Sequence, residues 1–459
     1  MTGRWARVRD RFWFLPSLLC VLAVVLAETL IALDQRIDDE DLGPFAVLAT
    51  RIGEAGSRDV LGAIAGSVLG VAATSFSITI AVLATASSTY GPRLVRNFTA
   101  DRGNQFVLGV YAGTFLFCLL TLRSIREPGD ADEVFVPHLA VNVAVLLAVL
   151  SIGVLVWFIN HIADSIQIFT LSRRVRTDLV AAIDQLYPDE LGHDRDEIDA
   201  AGRLDVPDGP ATDGVPVRAA TPGYLRGVTE ERLLDLAVAH DLLISLHVRP
   251  GSHVVDGAVV ATLRAGAAAV DEDLTAAVLS CLPTARSRTP EQDVEFAVLV
   301  LEEMAVRALS PSTNDPYTAI NALDDLAVGL THLARRTVPS PYRYDDAGRL
   351  RVIAPRVGLP ELLDRVFDAV RLYAVAHPLV LHRALALAEQ VHHAGGAEAA
   401  RERLVLHVEQ LVEAFERSSP QGYDLTRLRR RAAQAQAALR PVDSAAVTTG
   451  PSATVRQSP

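Results

Sequence analysis

Three groups of polar residues in this 459-residue chain have types and spacings that could do chemistry. The first runs along an otherwise apolar stretch. Gly62, Gly66 and Gly70 recur every four residues and are followed on one helical face by Thr74, Ser77, Ala81, Thr85 and Ser88. A GxxxGxxxG face lets a second helix approach closely. Hydroxyls held at membrane depth are also what lines a pore or substrate path. Packing is the commoner use of such a stripe, so it is read as either a membrane path or a packing face.

The second group gathers Arg93, Arg96, Asp101 and Arg102 between two apolar stretches, with Asn160, Asp164 and Gln167 at helical spacing beside His161 after a later one. Arginine, acid, imidazole and amide groups at a membrane interface suit an anion or a lipid headgroup, or a joint between membrane and soluble parts. Basic anchoring and helix-ending salt bridges explain many of the same residues. His161 with Asp164 offers two ligands, too few for a metal. The third group is the turn Ser310, Pro311, Ser312, Thr313, Asn314 and Asp315 before Pro316. One helix should end near Leu309 and another start at Pro316 with Asp315 as its cap. Helix-start amides with Arg286, Arg288 or Arg307 could hold a small anion there, and a plain helix connection is the alternative.

Composition excludes much else. The chain has no lysine, so all 43 basic residues are arginine. That removes a P-loop lysine, a Schiff-base lysine, a kinase-type lysine and any biotin or lipoyl attachment. Cys20, Cys118 and Cys281 form no CxxC pair, which leaves neither a disulfide framework nor a cysteine zinc site. GxSxG, HExxH, GxGxxG, Walker A and EF-hand patterns are absent. No catalytic residue, metal or cofactor is therefore expected, and the net charge of -12 argues against nucleic acid as a partner.

The elements that must position these groups begin with four apolar runs, at about 12–33, 60–86, 105–122 and 136–159. Each is near the ~20 residues a helix needs to cross a bilayer. Arg4, Arg7, Arg9 and Arg11, then Arg93, Arg96 and Arg102, then Arg173, Arg174 and Arg176 fall on alternate sides from the acid-rich connections at 34–41 and 127–133. This bias predicts both termini in the cytoplasm of a bacterial inner-membrane protein. Glu28 and Asp34 follow the first apolar run where a signal peptide would carry small residues, so it reads as an uncleaved anchor.

The expected fold is thus membrane α-helical, with four transmembrane helices over 1–170, followed by a cytoplasmic α+β domain. A helical extension and linker take 171–216, a small β-rich unit 217–265, a mostly helical part 266–440 and a disordered tail 441–459. In the β unit, Val217 to Leu225 reads as one strand, Thr229 opens a helix to about His240, and Leu242 to Val248 is a strand. His253 to Val255 and Ala258 to Leu263 read as a hairpin across Asp256-Gly257. A small β-barrel or barrel-sandwich is the expected result. Thr289-Pro290-Glu291-Gln292 reads as a capping box. A hairpin is expected around Asp346-Ala347-Gly348, and helices at about 360–376, 379–394, 397–418 and 424–439 should form a bundle.

Several motifs together resemble one family. Tyr90-Gly91-Pro92-Arg93-Leu94, Asp101-Arg102, Gln105, Leu108-Gly109, Thr114-Phe115 and Phe158 to Ala163 are similar to bacterial multi-pass membrane proteins grouped as domain of unknown function 2254. So are Gly223-Tyr224-Leu225, Pro250-Gly251, Gln292-Asp293 and Ala308 to Pro316. The resemblance covers about 12–439 and implies membrane location and this layout, with no activity attached. Two functions remain from the residues. One is an oligomeric channel or transporter whose second span lines the path. The other is a membrane-anchored scaffold or sensor whose cytoplasmic domain binds a protein partner or small anion. The channel reading, as a homo-oligomer in the lipid bilayer, is narrowly preferred.

Overall fold

The computed structural model describes residues 12–36, 53–90, 101–126, 135–165, 168–187, 214–265, 270–289, 293–336, 338–418 and 420–440. They fall into two compact units that divide between Leu171 and Ser172.

Four helices make up the first unit: α1 (Phe14–Asp34), α2 (Glu54–Tyr90), α3 (Arg102–Ser124) and α4 (His138–Ser165). All four are long and apolar enough to cross a membrane. The centre of the unit is α3, which packs on α1, α2 and α4. Phe117 and Cys118 of α3 are fully buried with Ala27 of α1, Leu61 of α2 and Ala140 of α4. Lipid offers no hydrogen bonds, so polar groups here must find partners inside the protein. Asp34 at the end of α1 accepts from the amides of Leu139 (3.1 Å) and Ala140 (3.2 Å), satisfying the open start of α4. Arg58 of α2 donates to the Ile125 carbonyl beyond the end of α3 at 3.1 Å.

The second unit begins inside α5 (Ile168–Leu186). Then follow β1 (Val215–Arg218), β2 (Gly223–Leu225), α6 (Glu230–Ala239), β3 (Leu242–Leu246), β4 (His253–Val254), β5 (Val259–Ala265), α7 (Glu272–Ser280) and β6 (Thr284–Ala285). Next come α8 (Val294–Ala308), α9 (Pro316–Ala334), β7 (Tyr342–Tyr344), β8 (Leu350–Ile353), α10 (Leu359–Tyr373), α11 (Pro378–Ala394), α12 (Glu398–Arg417) and α13 (Gly422–Ala438). Leu179 of α5 is fully buried over Gly329 of α9, where an added Cβ would lie 2.2 Å from its Cδ2. Arg176 pairs with Asp325 at 3.0 Å, and Asp184 meets both His332 (2.6 Å) and Arg336 (2.5 Å).

Several expected boundaries move. The strand expected over Val217 to Leu225 is two strands in different sheets, because the chain turns between them and Gly223 takes φ +155°. His253-Val254 does not form a hairpin with the following strand. It pairs with β2, and β5 runs between β1 and β3. One sheet has the order β1-β5-β3-β8-β7 and the other β4-β2-β6. Among the described residues neither closes on itself, so the expected barrel is replaced by two open sheets. The first also draws a strand from well beyond residue 265, since β8 joins β3 in parallel through Ile244 opposite Val352. Residues 290–292 of the expected capping box lie outside the described residues, and α8 starts later with Asp293 as its cap, accepting from the Phe296 amide at 2.9 Å. The 441–459 tail also lies outside them.

The β7–β8 hairpin, which lies where expected, is organised by one carboxylate. Asp345 accepts from the amides of Ala347 (3.0 Å) and Arg349 (2.9 Å) and from the Arg351 guanidinium (2.8 Å). Arg351, itself buried, reaches Asp241 at 2.8 Å before β3 and so ties the hairpin to its neighbour. Burial acts to raise the Asp345 carboxyl, but the Arg349 amide and the Arg351 guanidinium outweigh it and hold the group at about 2. A pKa lowered by folding means that the folded state resists the proton. The stability Asp345 contributes is therefore present above the unfolded value of ~4 and lost as pH falls toward 2. Asp345→Asn should lower stability at neutral pH and flatten its decline between pH 4 and 2, read from denaturation of the full chain. An unchanged acid limb would remove Asp345 from this role.

Candidate functional site

The small-residue stripe of α2 lies on the outside of the first unit. Gly62, Gly66 and Gly70 are exposed, and a Cβ added at any of them meets nothing within 4 Å. Thr74, Ser77 and Thr85 continue the exposed face. The inward face of the helix is instead Leu61, Ala65, Val68 and Ser75. Thr74 donates to the Gly70 carbonyl at 3.0 Å and Thr85 to the Ala81 carbonyl at 2.9 Å, so both hydroxyls have a partner in their own helix. Among the described residues nothing packs against the glycines of the stripe. The close helix approach lies at Gly109 and Gly113 of α3. A Cβ at Gly109 would lie 2.5 Å from Leu19 Cδ1 and 3.0 Å from Pro16 Cα, and one at Gly113 would lie 3.3 Å from the Leu19 carbonyl oxygen. Their four-residue spacing was visible in the sequence but was overshadowed by the longer glycine run in α2.

At the start of α3, Asp101 is the N-cap, accepting from the Gly103 amide at 2.7 Å, and the same oxygen meets His161 Nε2 of α4 at 3.1 Å. A Cβ at Gly103 would come 2.5 Å from that nitrogen, so any larger residue there would displace the imidazole. Trp157 stacks on the imidazole with centroids 4.8 Å apart, and Phe106 meets Trp157 edge-on. Asn160 and Asp164 form a separate exposed pair at 3.2 Å. Arg93 and Arg96 lie outside the described residues, while Arg102 is exposed. Among the described residues the expected cluster thus includes an interhelical clasp, Asp101 with His161, and a pair along a single helix, Asn160 with Asp164. Sequence reasoning passed over Asn104, which is buried with no hydrogen-bond partner for Oδ1 among the described residues.

In the turn before α9, Asp315 caps that helix through the Thr318 amide (3.1 Å) and hydroxyl (2.6 Å), and the hydroxyl contact leads the causes that lower its pKa. Ser310 bonds to Ser312 (3.2 Å) and Thr313 (3.3 Å), and Asn314 takes a left-handed φ of +47° at the close of this turn, its amide donating to the Ser310 carbonyl at 2.8 Å. Two of the three arginines expected beside this turn are engaged with other groups, and Arg286 is exposed. Arg307 pairs with Glu303, and Arg288 grips Asp293 through two bonds of 2.7 and 2.8 Å.

That last pair anchors a convergence the sequence did not disclose. Gly251, at φ +87°, lies so close that a Cβ would come 2.3 Å from Asp293 and 2.7 Å from Arg288. Its amide donates to Leu225 O at 2.8 Å, and Tyr224 packs edge-on against His253. Glu295 then collects Arg249, Arg288 and Arg365. Tyr187 donates to Val357 O at 2.7 Å, and burial pushes its phenol up to about 12. No group of three or more potential metal ligands occurs among the described residues.

A family model described as predicted membrane protein (DUF2254) matches residues 9–390. An uncharacterized protein of Mycobacterium bovis and one of Mycobacterium tuberculosis are each 33% identical over 338 residues, covering 73% of this chain. The chain spans 63% of the length of these curated relatives. No solved structure matches it.

Gly109→Ala should lower the stability of the chain by about 1–3 kcal/mol, as overpacking does, while Gly66→Ala should leave it no less stable, since alanine suits an open helix position better than glycine. Thermal melting in detergent separates the two, and equal effects would overturn the placement of the close contact. In the turn before α9, Asp315→Ala should cost about 1 kcal/mol through the lost cap. Asn314→Ala should cost a similar amount and Asn314→Gly little, because only the former strains a left-handed backbone. If Asn314→Gly destabilised as much as Asn314→Ala, side-chain contacts rather than conformation would be the cause.

Proposed function

The chain belongs to the DUF2254 family of predicted membrane proteins, and from that premise we propose that it works as a channel-like assembly of several copies meeting along the α2 stripe. The observation that carries this is the outward placement of Gly62, Gly66, Gly70, Thr74, Ser77 and Thr85, with open space beside the glycines. A path through a single protomer is disfavoured, since Tyr111 and Phe117 fill its centre and are almost fully buried. A path between copies needs no such opening. Glycines allow close approach at one end of the stripe, and hydroxyls give a polar lining at the other. The arginine bias supports an inner-membrane location with both termini and the second unit in the cytoplasm, where that unit would regulate the assembly.

A second reading, the membrane-anchored scaffold or sensor, draws support from exposed apolar residues at the connection of α10 to α11. Leu372, Tyr373 and Leu379 are 59%, 55% and 46% exposed, and apolar exposure grouped in this way marks a binding surface where a lone exposed residue does not.

Single cysteines at Gly70, Thr74, Ser77 and Thr85, after removal of Cys20, Cys118 and Cys281, separate these readings. In the assembly, Gly70→Cys should cross-link between copies and the hydroxyl positions should react with a water-soluble maleimide. A cysteine at Asp132 should be labelled in intact cells, and one at Arg176 only after lysis. Inert stripe cysteines without cross-links would favour the scaffold, and labelling of Arg176→Cys from outside would reverse the orientation.

A further inference from the structure

The β-rich part of the second unit contains a pocket of about 320 Å³ that no part of the proposed function uses. It lies between the two sheets and α7, with Leu225 of β2, Val254 of β4, Val260 of β5 and Leu282 forming buried walls, each no more than 5% exposed. Those walls are held by backbone bonds that leave them little freedom to collapse inward. Leu225 donates to Ser252 O at 2.9 Å, Arg226 to Pro283 O at 2.9 Å and Ala219 to Ala258 O at 2.8 Å. Ala276 and Ser280 of α7 lie on the exposed side, so the pocket opens to solvent there. Its volume lies near the lower end of the roughly 300–1,000 Å³ typical of small-molecule sites.

The chemistry of the lining narrows the ligand. Among the described residues no charged side chain lines the pocket, so an ion entering it would give up water without gaining a partner. Three hydroxyls are present. Ser280 donates to the Ala277 carbonyl at 2.6 Å, which commits its proton. Thr221 and Thr284 face each other at 3.1 Å across the β1–β2 turn and β6. A hydroxyl pair uses one proton between its two oxygens, which leaves the second proton for an outside acceptor. We propose that this pocket binds a small, uncharged, mainly apolar molecule carrying one hydroxyl or carbonyl oxygen, which the Thr221–Thr284 pair receives.

The test uses the full-length protein in detergent and octan-1-ol bearing a photoactivatable diazirine, with cross-links mapped by mass spectrometry. Cross-links are expected within 219–225 and 276–284. Unlabelled octan-1-ol should compete about tenfold better than octanoate, whose charge the pocket cannot satisfy, and about fivefold better than octane, which lacks the oxygen. Ala276→Phe sets a ring at the open side and should reduce these cross-links to about a tenth without altering the melting of the chain. The double variant Thr221→Val and Thr284→Val should keep the cross-links and lose the preference for octan-1-ol over octane. Cross-links that survive Ala276→Phe, or that appear only in α1 to α4, would overturn the site. A preference for octan-1-ol that persists in the double variant would overturn the role of the threonine pair. Should Ala276→Phe fail to fold, the double variant and the octanoate comparison still decide.

Discussion

The absence of water in a bilayer is the constraint on which the first unit depends, because every polar group that enters it must be satisfied by the protein itself. The helices meet this in two ways. Hydroxyls on the outer face turn back on their own backbone, as Thr74 does to Gly70 and Thr85 to Ala81. Groups at helix ends are satisfied by neighbouring helices, as when the Asp34 carboxylate receives the Leu139 and Ala140 amides and the Asp101 carboxylate serves both the Gly103 amide and His161. The second device does more than satisfy a donor. A carboxylate shared between two helices fixes their ends relative to each other, so the bundle is pinned by charge-assisted bonds at both ends and by apolar packing between them.

Glycine is used for two opposite purposes in this bundle. At 109 and 113 its missing side chain is occupied by α1, and at 103 by the His161 ring, so each is a place where another group passes. At 62, 66 and 70 the missing side chains leave open space. Helix association in lipid draws on packing and on lipid entropy rather than on release of water. An unfilled glycine groove therefore forgoes contacts that another helix could make. This asymmetry is why the α2 face carries the reading of assembly while the α3 glycines explain only the fold of one protomer.

How much could be read in advance follows from the range of each interaction. The four spans, the cap at Asp315, the hairpin around Gly348 and the four C-terminal helices are set by local periodicity and turn chemistry, and sequence spacing exposes both. Strand partners were not legible. Two-residue strands such as His253-Val254 have almost no pattern of their own, and their pairing with Gly223-Tyr224 is decided by backbone bonds to residues some thirty positions away. The parallel addition of β8 to β3 is likewise set by the Arg351–Asp241 pair and by burial of Val352, across more than a hundred residues. At the candidate site the α2 stripe was visible as a pattern, but its direction depends on which face of the helix meets α3. Asn104 and the Asp101–His161 clasp needed the fold.

The absence of lysine shapes the second unit as much as its strands do. Arginine presents a planar fork that can bond two groups at once, where an ammonium acts as a point charge. Arg288 holds both oxygens of Asp293 and also approaches Glu295, and Arg365 bridges Glu295 and Glu302. These bonds link the strand-rich region to α8 and α10, and Gly251 lets the Arg288–Asp293 pair lie directly against the turn before β4. Removing one member of such a pair strands a partly buried charge, and the resulting loss exceeds what the pair itself adds to stability. The resemblance motifs Gly223-Tyr224-Leu225 and Pro250-Gly251, together with Asp293, bracket this junction. The junction therefore accounts for Tyr224, Gly251 and Asp293 as parts of one mechanical joint, and none of these three residues needs to be assigned to a ligand.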